Sequence, residues 1–431
     1  MSHDRRQFLL HSAVAGLGAT TAGAVAAATP SAAMPPTALP PGRPYLDYRP
    51  VETPNGATLE HRIVAGVKVF HLVVEPVRHE FAPGLQANCW GYNGRVHGPT
   101  IEAVEGDRVR IYVTNKLDAP TTVHWHGLLL PNGMDGVGGL TQRSIEPGET
   151  FRYEFVLRQH GTYMYHSHHD EMVQMAMGMM GMFVIHPRSP TEPPPDRDFV
   201  YMLSEWAVKV GSERPDPNEM KDFNVLTFNG KVYPATAPMV VKTGQRVRIR
   251  LGNLSAMDHH PIHLHGHAFT VVATDGGEVP KSARWPETTV VVATGQTRTV
   301  DFVADAPGDW AMHCHMTHHV MTQMGHDIPN LLGVDPSLFD EKLAAAVPDY
   351  LQMGRGTTDP NAPDETLPKN SLPMVGGQAG FGYVTMGGMV TVLKVRDGLT
   401  DYADPGHYVH PPGTVADVAS AADLTRDGIG G

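Results

Sequence analysis

Three segments of this chain occur twice, in the same order. Glu105-Gly106-Asp107-Arg108-Val109-Arg110-Ile111-Tyr112 returns as Thr243-Gly244-Gln245-Arg246-Val247-Arg248-Ile249-Arg250, and His124-Trp125-His126-Gly127 as His263-Leu264-His265-Gly266. Gly161-Thr162-Tyr163-Met164-Tyr165-His166-Ser167-His168 returns as Gly308-Asp309-Trp310-Ala311-Met312-His313-Cys314-His315. Echoes that keep their order restrict the chain to folds that one plan can build twice. The plan is a β one. Residues 108–113 alternate polar and apolar with period two behind a Glu-Gly-Asp turn, and residues 64–74, 108–115, 150–157 and 182–186 read as strands. Short strands between Gly/Pro turns point to paired antiparallel sandwiches.

Composition agrees: 431 residues with 45 Gly, 37 Pro, 18% charged and 7% aromatic residues suit a loop-rich all-β protein long enough for more than one core. We place the first domain at 45–188, a stiff Pro-rich linker from Ser189 to Asp196, and the second domain at 197–334. Residues 335–431 form a C-terminal extension, with a short helix at 335–351 and a strand at 389–395, expected to wrap the second domain.

A net charge of −12 excludes nucleic acid and anionic membrane surfaces as natural partners. Arg5-Arg6 before Phe8-Leu9-Leu10, a mildly apolar stretch to residue 28 and Ala-x-Ala sites at Ala24/Ala26 and Ala26/Ala28 read as a Tat-type export signal over 1–28, or as an ordinary signal with a fortuitous Arg pair. No later run reaches the ~18 apolar residues of a membrane span. A periplasmic or secreted protein with no membrane partner is expected.

Histidine (25) and methionine (22) are abundant, and both are copper ligands. Residues i and i+2 of a strand share a face, so the pairs His124/His126, His166/His168, His263/His265 and His313/His315 each offer two imidazoles to one place. Cys314 lies inside the last pair, with His319 and Met324 following; one thiolate, imidazoles and a weak axial thioether make an electron-transfer copper site. The other cysteine, Cys89, is either a disulfide partner or, since a metal would occupy Cys314, a buried small residue. The methionines of 172–182 and those around Cys314 read either as a cuprous-ion path or as filling of irregular core. His318 and His326 read as surface residues or as supports of the ligands.

These motifs resemble the multicopper oxidases, the family of laccases, bilirubin oxidases and cuprous oxidases. The likeness spans roughly residues 60–330; the run from His260 to His267 and the run from His313 to Met324 match the family pattern nearly letter for letter. It implies two cupredoxin-like Greek-key β-sandwich domains. It also implies a type 1 copper on His260, Cys314 and His319 with axial Met324, a type 2 copper on His124 and His263, and a type 3 pair on His126, His166, His168, His265, His313 and His315. The implied chemistry is four one-electron oxidations of a small reductant (phenol, aromatic amine or Cu(I)) coupled to reduction of dioxygen to water. Asp135 matches the family's acid beside the type 2 copper, although an Asp-Gly turn is the plain alternative. Many relatives carry a second acid directly after the last type 1 histidine; here that residue is Val320, with Glu171 as a substitute.

Ser167 stands where the second repeat has Cys314, so only the second domain can hold a thiolate-ligated type 1 copper. That pattern is similar to the two-domain laccases and implies a homotrimer with trinuclear sites between subunits. Copper nitrite reductase, which needs the cysteine in its first domain, fits poorly. A copper-sequestering protein without turnover leaves the type 1 set unexplained.

Overall fold

The first sandwich pairs two sheets. One orders the strands His61–Val64, Val67–Ala82, Arg108–Asn115 and Thr150–Val156, with Leu85–Tyr92 against the second half of Val67–Ala82. The other orders Gly98–Val104, Met180–His186, Gly161–His166 and His124–His126. The structure, a computed structural model, describes residues 37–208, 212–321, 376–384 and 386–429. Apolar residues from both sheets, among them Phe70, Ile111, Val113, Trp125, Tyr165 and Phe183, close into one buried cluster. The second sandwich repeats the plan, with its own cluster around Phe199, Ile249, Ile262, Val300, Met312 and Leu393.

The repeat holds down to single contacts. Arg110 faces Glu154 across one strand pair, at 2.7 Å, and Arg248 faces Asp301 at the same register in the other sandwich, also at 2.7 Å. Gly127 and Gly266 follow their His-x-His pairs with φ +84° and +69°. A Cβ there would press on the Tyr163 ring in the first case and on Trp310 in the second, so both turns require glycine.

Two expectations change. The sheets are mixed rather than purely antiparallel: Val67–Ala82 runs parallel to Arg108–Asn115, Gly98–Val104 to Met180–His186, and the second sandwich copies both pairs. A chain that crosses between sheets to lay an early strand beside a later one produces such neighbours.

The strand near 389–395 is also not part of a wrapping extension. Val390–Arg396 lies inside the second sandwich, antiparallel to Gly308–Cys314 and parallel to Met239–Lys242. It occupies the place that Met180–His186 holds in the first sandwich: His166 pairs with Met180 there, and His313 with Val390 here. The second domain therefore extends beyond 334 and is closed by a strand supplied after an insertion. The helix expected at 335–351 and the signal at 1–28 lie outside the described residues.

The sandwiches share an apolar interface. Val77, Phe81, Leu85, Cys89 and Val96 pack on Trp206, Val225 and Val232. Met164, Met180 and Met182 pack on Val200, Met202 and Leu254.

Candidate metal centres

One strand serves two centres because its side chains alternate. In Gly308–Cys314, Met312 and Cys314 belong to the buried core, so His313 lies on the opposite face. The neighbouring strand His260–Leu264 shows the same alternation: Ile262 pairs with Cys314 and His263 with His313. His260 thereby enters the core beside Cys314, and His263 faces outward beside His313. The 3-10 turn His319–Met321 then brings His319 back onto the cysteine.

The result is a triangle of donors. Cys314 Sγ lies 3.2 Å from His319 Nδ1 and 3.8 Å from His260 Nδ1, and the two nitrogens are 3.1 Å apart. All three side chains are 0% exposed. Burial pushes the Cys314 thiol up to about 12, so a metal must displace its proton. Burial, then the neighbouring His319, holds His260 down to about 3, a neutral imidazole. Ser255 Oγ sits 2.6 Å from His260 Nε2, which leaves Nδ1 to face the metal position. One soft sulfur and two imidazoles converging on one point fit copper. Met324 lies outside the described residues.

The eight remaining histidines form two tetrads. In the first sandwich the His124 ring lies 5.3 Å from His166, 5.4 Å from His168 and 5.9 Å from His126. In the second, the His263 ring lies 4.8 Å from His265, 5.6 Å from His313 and 5.5 Å from His315. Among the described residues no ring contact joins one tetrad to the other. Carbonyls select the donor nitrogen: Nδ1 of His124, His166, His263 and His313 donates to the carbonyls of Asp135, Ser167, Thr288 and Cys314, at 2.7–2.8 Å. Each ring is thereby left with Nε2 as its free donor atom. Burial holds His166 down to about 3 and lowers His126, His265 and His313 as well, which favours the uncharged ring that a metal needs.

Residues 73–190 and 209–331 match two family models, each described as multicopper oxidase. The chain belongs to the multicopper oxidase family. It is 31% identical over 241 residues to copper resistance protein A of Pseudomonas syringae pv. tomato, covering 45% of this chain and 39% of that protein. It is 34% identical over 238 residues to multicopper oxidase MmcO of Mycobacterium tuberculosis, covering 48% and 46%. The chain thus spans less than half the length of these curated relatives. Among solved structures it is similar to the blue copper oxidase of Nitrosomonas europaea, at 28% identity and TM-score 0.56 over 76% of this chain and 85% of that one. It is also similar to the multicopper oxidase mgLAC, at 27% identity and TM-score 0.57 over 79% and 91%.

In this member of the family the expected acid Asp135 sits behind His124, its Oδ1 3.5 Å from Nδ1. Glu171, the substitute, reaches two tetrad rings: Oε1 is 3.5 Å from His166 Nδ1 and Oε2 3.7 Å from His168 Nε2. Val320 instead accepts backbone hydrogen bonds from Gly387 and Gly388, and Cys314 N–H donates to the Met389 carbonyl, so the late segment closes directly over the cysteine site. Both cysteines are free, and Cys89 is buried between the sandwiches. Met177, Met179, Met180 and Met182 are buried, whereas Met172 is 61% exposed. Sequence reasoning missed Ser255, and also Asp258, whose Oδ2 lies 3.6 Å from His319 Nε2. It missed Glu205 too, whose carboxyl is pushed up by burial and then by the neighbouring Asp258, and which accepts the N–H groups of Met257 and Asp258. Neither Ser255 nor Glu205 belongs to a metal-ligand spacing.

Proposed function

We propose that this protein is a laccase-like oxidase that takes electrons one at a time from a small reductant at the Cys314 site and delivers them to dioxygen at the histidine tetrads. The observation that carries the reading is the covalent adjacency of the two centres: Cys314 belongs to the buried triangle, and its peptide neighbours His313 and His315 belong to a tetrad. Bound copper would supply the one-electron acceptor at the first site and the dioxygen-reducing cluster at the second.

The chain's own residues do the remaining work. His260, Cys314 and His319 would hold the type 1 ion, with Met324, which lies outside the described residues, as the further ligand expected from the sequence. His124 and His263 would hold the type 2 ion, and His126, His166, His168, His265, His313 and His315 the type 3 pair. The Asp135, Ser167, Thr288 and Cys314 carbonyls keep four rings in one tautomer, so the donors are set before any ion arrives. Proton delivery falls to the carboxylates between solvent and the first tetrad, Asp135 at His124 and Glu171 at His166 and His168.

A homotrimer with trinuclear sites shared between neighbouring subunits belongs to the same proposal. It is supported by His126, whose Nε2 donates to Gly295 of the second sandwich at 2.9 Å. The relatives carry the names of copper resistance proteins and of laccases, so the candidate reductants are Cu(I), phenols and aromatic amines. Export by the Tat route, from Arg5-Arg6, completes the proposal. Replacing Cys314 with Ser in the copper-loaded protein tests it: blue absorption and oxygen uptake should both vanish while the fold persists. Undiminished turnover would refute it.

A further inference from the structure

The first sandwich has a counterpart of the cysteine site. Thr121 precedes His124 by the three residues that separate His260 from His263, and Ser167 follows His166 as Cys314 follows His313. The strand registers agree, His124 pairing with His166 and His263 with His313. At the cysteine site, the triangle links the start of one histidine strand, at His260, to the end of the other, at Cys314. In the first sandwich the same two segments meet on the side chain of Gln174.

Gln174 Oε1 accepts from Ser167 Oγ at 2.5 Å and from Thr121 Oγ1 at 2.7 Å. Its Nε2 donates to the Pro120 carbonyl at 2.8 Å, which fixes the amide's orientation because a carbonyl can only accept. Thr121, Ser167 and Gln174 are all buried, so each bond lies out of water's reach. The neighbouring hydroxyl of Thr122 accepts from His168 N–H at 3.3 Å. Gln174 comes from the short helix Glu171–Ala176, one turn after Glu171, which lies against His166 and His168.

We propose that Gln174 is a positioning residue that does for the first histidine tetrad what a metal would do for the second sandwich. It cross-links the Thr121 and Ser167 segments, so that His124, His126, His166 and His168 are held in place before copper binds. Without the amide, the two hydroxyls would lose their shortest acceptor and keep only the longer contacts to the Thr122 and His169 carbonyls, at 3.3 and 3.2 Å, and the His166-Ser167-His168 segment would lose one of its ties to the neighbouring strand. The inference rests on the oxidase reading, since it takes the tetrad to be a copper site.

The test compares Gln174→Leu, Thr121→Val and Thr121→Ser in the full chain, titrated with copper against a chelator. Type 1 blue absorption serves as an internal reference, and the type 2 and type 3 spectroscopic signals report the cluster. Gln174→Leu and Thr121→Val should weaken cluster copper binding by ~10–100-fold, the range for groups that orient metal ligands. Blue absorption should be unchanged, and Thr121→Ser, which keeps the hydroxyl, should load like the wild type. If Gln174→Leu does not fold, the near-isosteric Thr121→Val decides alone. Equal cluster loading in wild type and Thr121→Val overturns the inference, as does a parallel loss of type 1 copper. A wild type that never acquires cluster copper overturns the oxidase reading and this inference with it.

Discussion

His126 of the first sandwich donates from Nε2 to the carbonyl of Gly295 in the second, across 2.9 Å. Its Nδ1 faces His166 Nε2 at 3.3 Å, so the ring is shared between a domain contact and the first tetrad. Within one chain that tetrad therefore looks onto the Gly295 turn, and the proposed trimer has His263, His265, His313 and His315 meet the first tetrad of another copy.

Mixing two inactive variants tests that arrangement. His166→Ala disables the first tetrad and His263→Ala the second. Co-assembled at equal amounts as a random trimer, three in four assemblies are mixed, and each of these holds one intact site of three. About a quarter of wild-type oxygen uptake should return. No recovery in verified mixed assemblies would place both halves of the site in one chain.

Ser255 should control the affinity of the cysteine site. Its Oγ lies 2.6 Å from His260 Nε2, and both groups are buried. Ser255→Ala leaves that nitrogen without a partner and the ring free to turn, so type 1 copper affinity should fall ~10–100-fold. Chelator competition followed by blue absorption reads this directly, and an unchanged affinity would remove Ser255 from the account.

Acid should loosen the junction between the sandwiches. His79 Nε2 meets the Gly230 carbonyl at 2.6 Å; His97 pairs with Ser204 at 2.9 Å and stacks on Trp206. Burial holds His79 down to about 4 and His97 to about 3. Both folded values lie below the unfolded value of about 6.5, so below that pH the unfolded chain binds protons that the folded chain refuses. Stability is retained above about pH 6.5 and falls toward pH 4 by up to about 1.4 kcal/mol per pH unit for each ring. Urea midpoints across that window should show the slope, and His79→Gln with His97→Gln should flatten it.

The buried methionines should behave as packing. Met180 and Met182 lie in the interface cluster with Met164 and Met202. Replacing both with leucine conserves volume, should cost less than about 1.5 kcal/mol by thermal unfolding, and should leave the rate of Cu(I) oxidation unchanged. A tenfold slower Cu(I) reaction with unchanged phenol oxidation would make them part of a copper path.

The residues that would hold a metal were legible in the sequence because ligation demands particular residue types at fixed spacings. The strand period then divides His313, Cys314 and His315 between two faces. Ser255 and Gln174 were not legible, since an alcohol and an amide acquire their roles only from partners that the fold brings close. The strand Val390–Arg396 was legible as a strand but not as the counterpart of Met180–His186. The insertion before it breaks the even spacing by which the other echoes reveal themselves. The parallel pairs were hidden for a related reason: period two marks a strand but says nothing about its neighbour's direction.

In the proposed oxidase, electrons entering at Cys314 reduce dioxygen fully. The most direct test is the stoichiometry of the copper-loaded protein, with oxygen uptake and reductant loss followed together for a phenol and for Cu(I). A complete reduction consumes about four one-electron oxidations per dioxygen with no peroxide released, and uptake should be lost in Cys314→Ser. Copper-replete protein that consumes no oxygen with either reductant, or that releases peroxide at about two electrons per dioxygen, would contradict it.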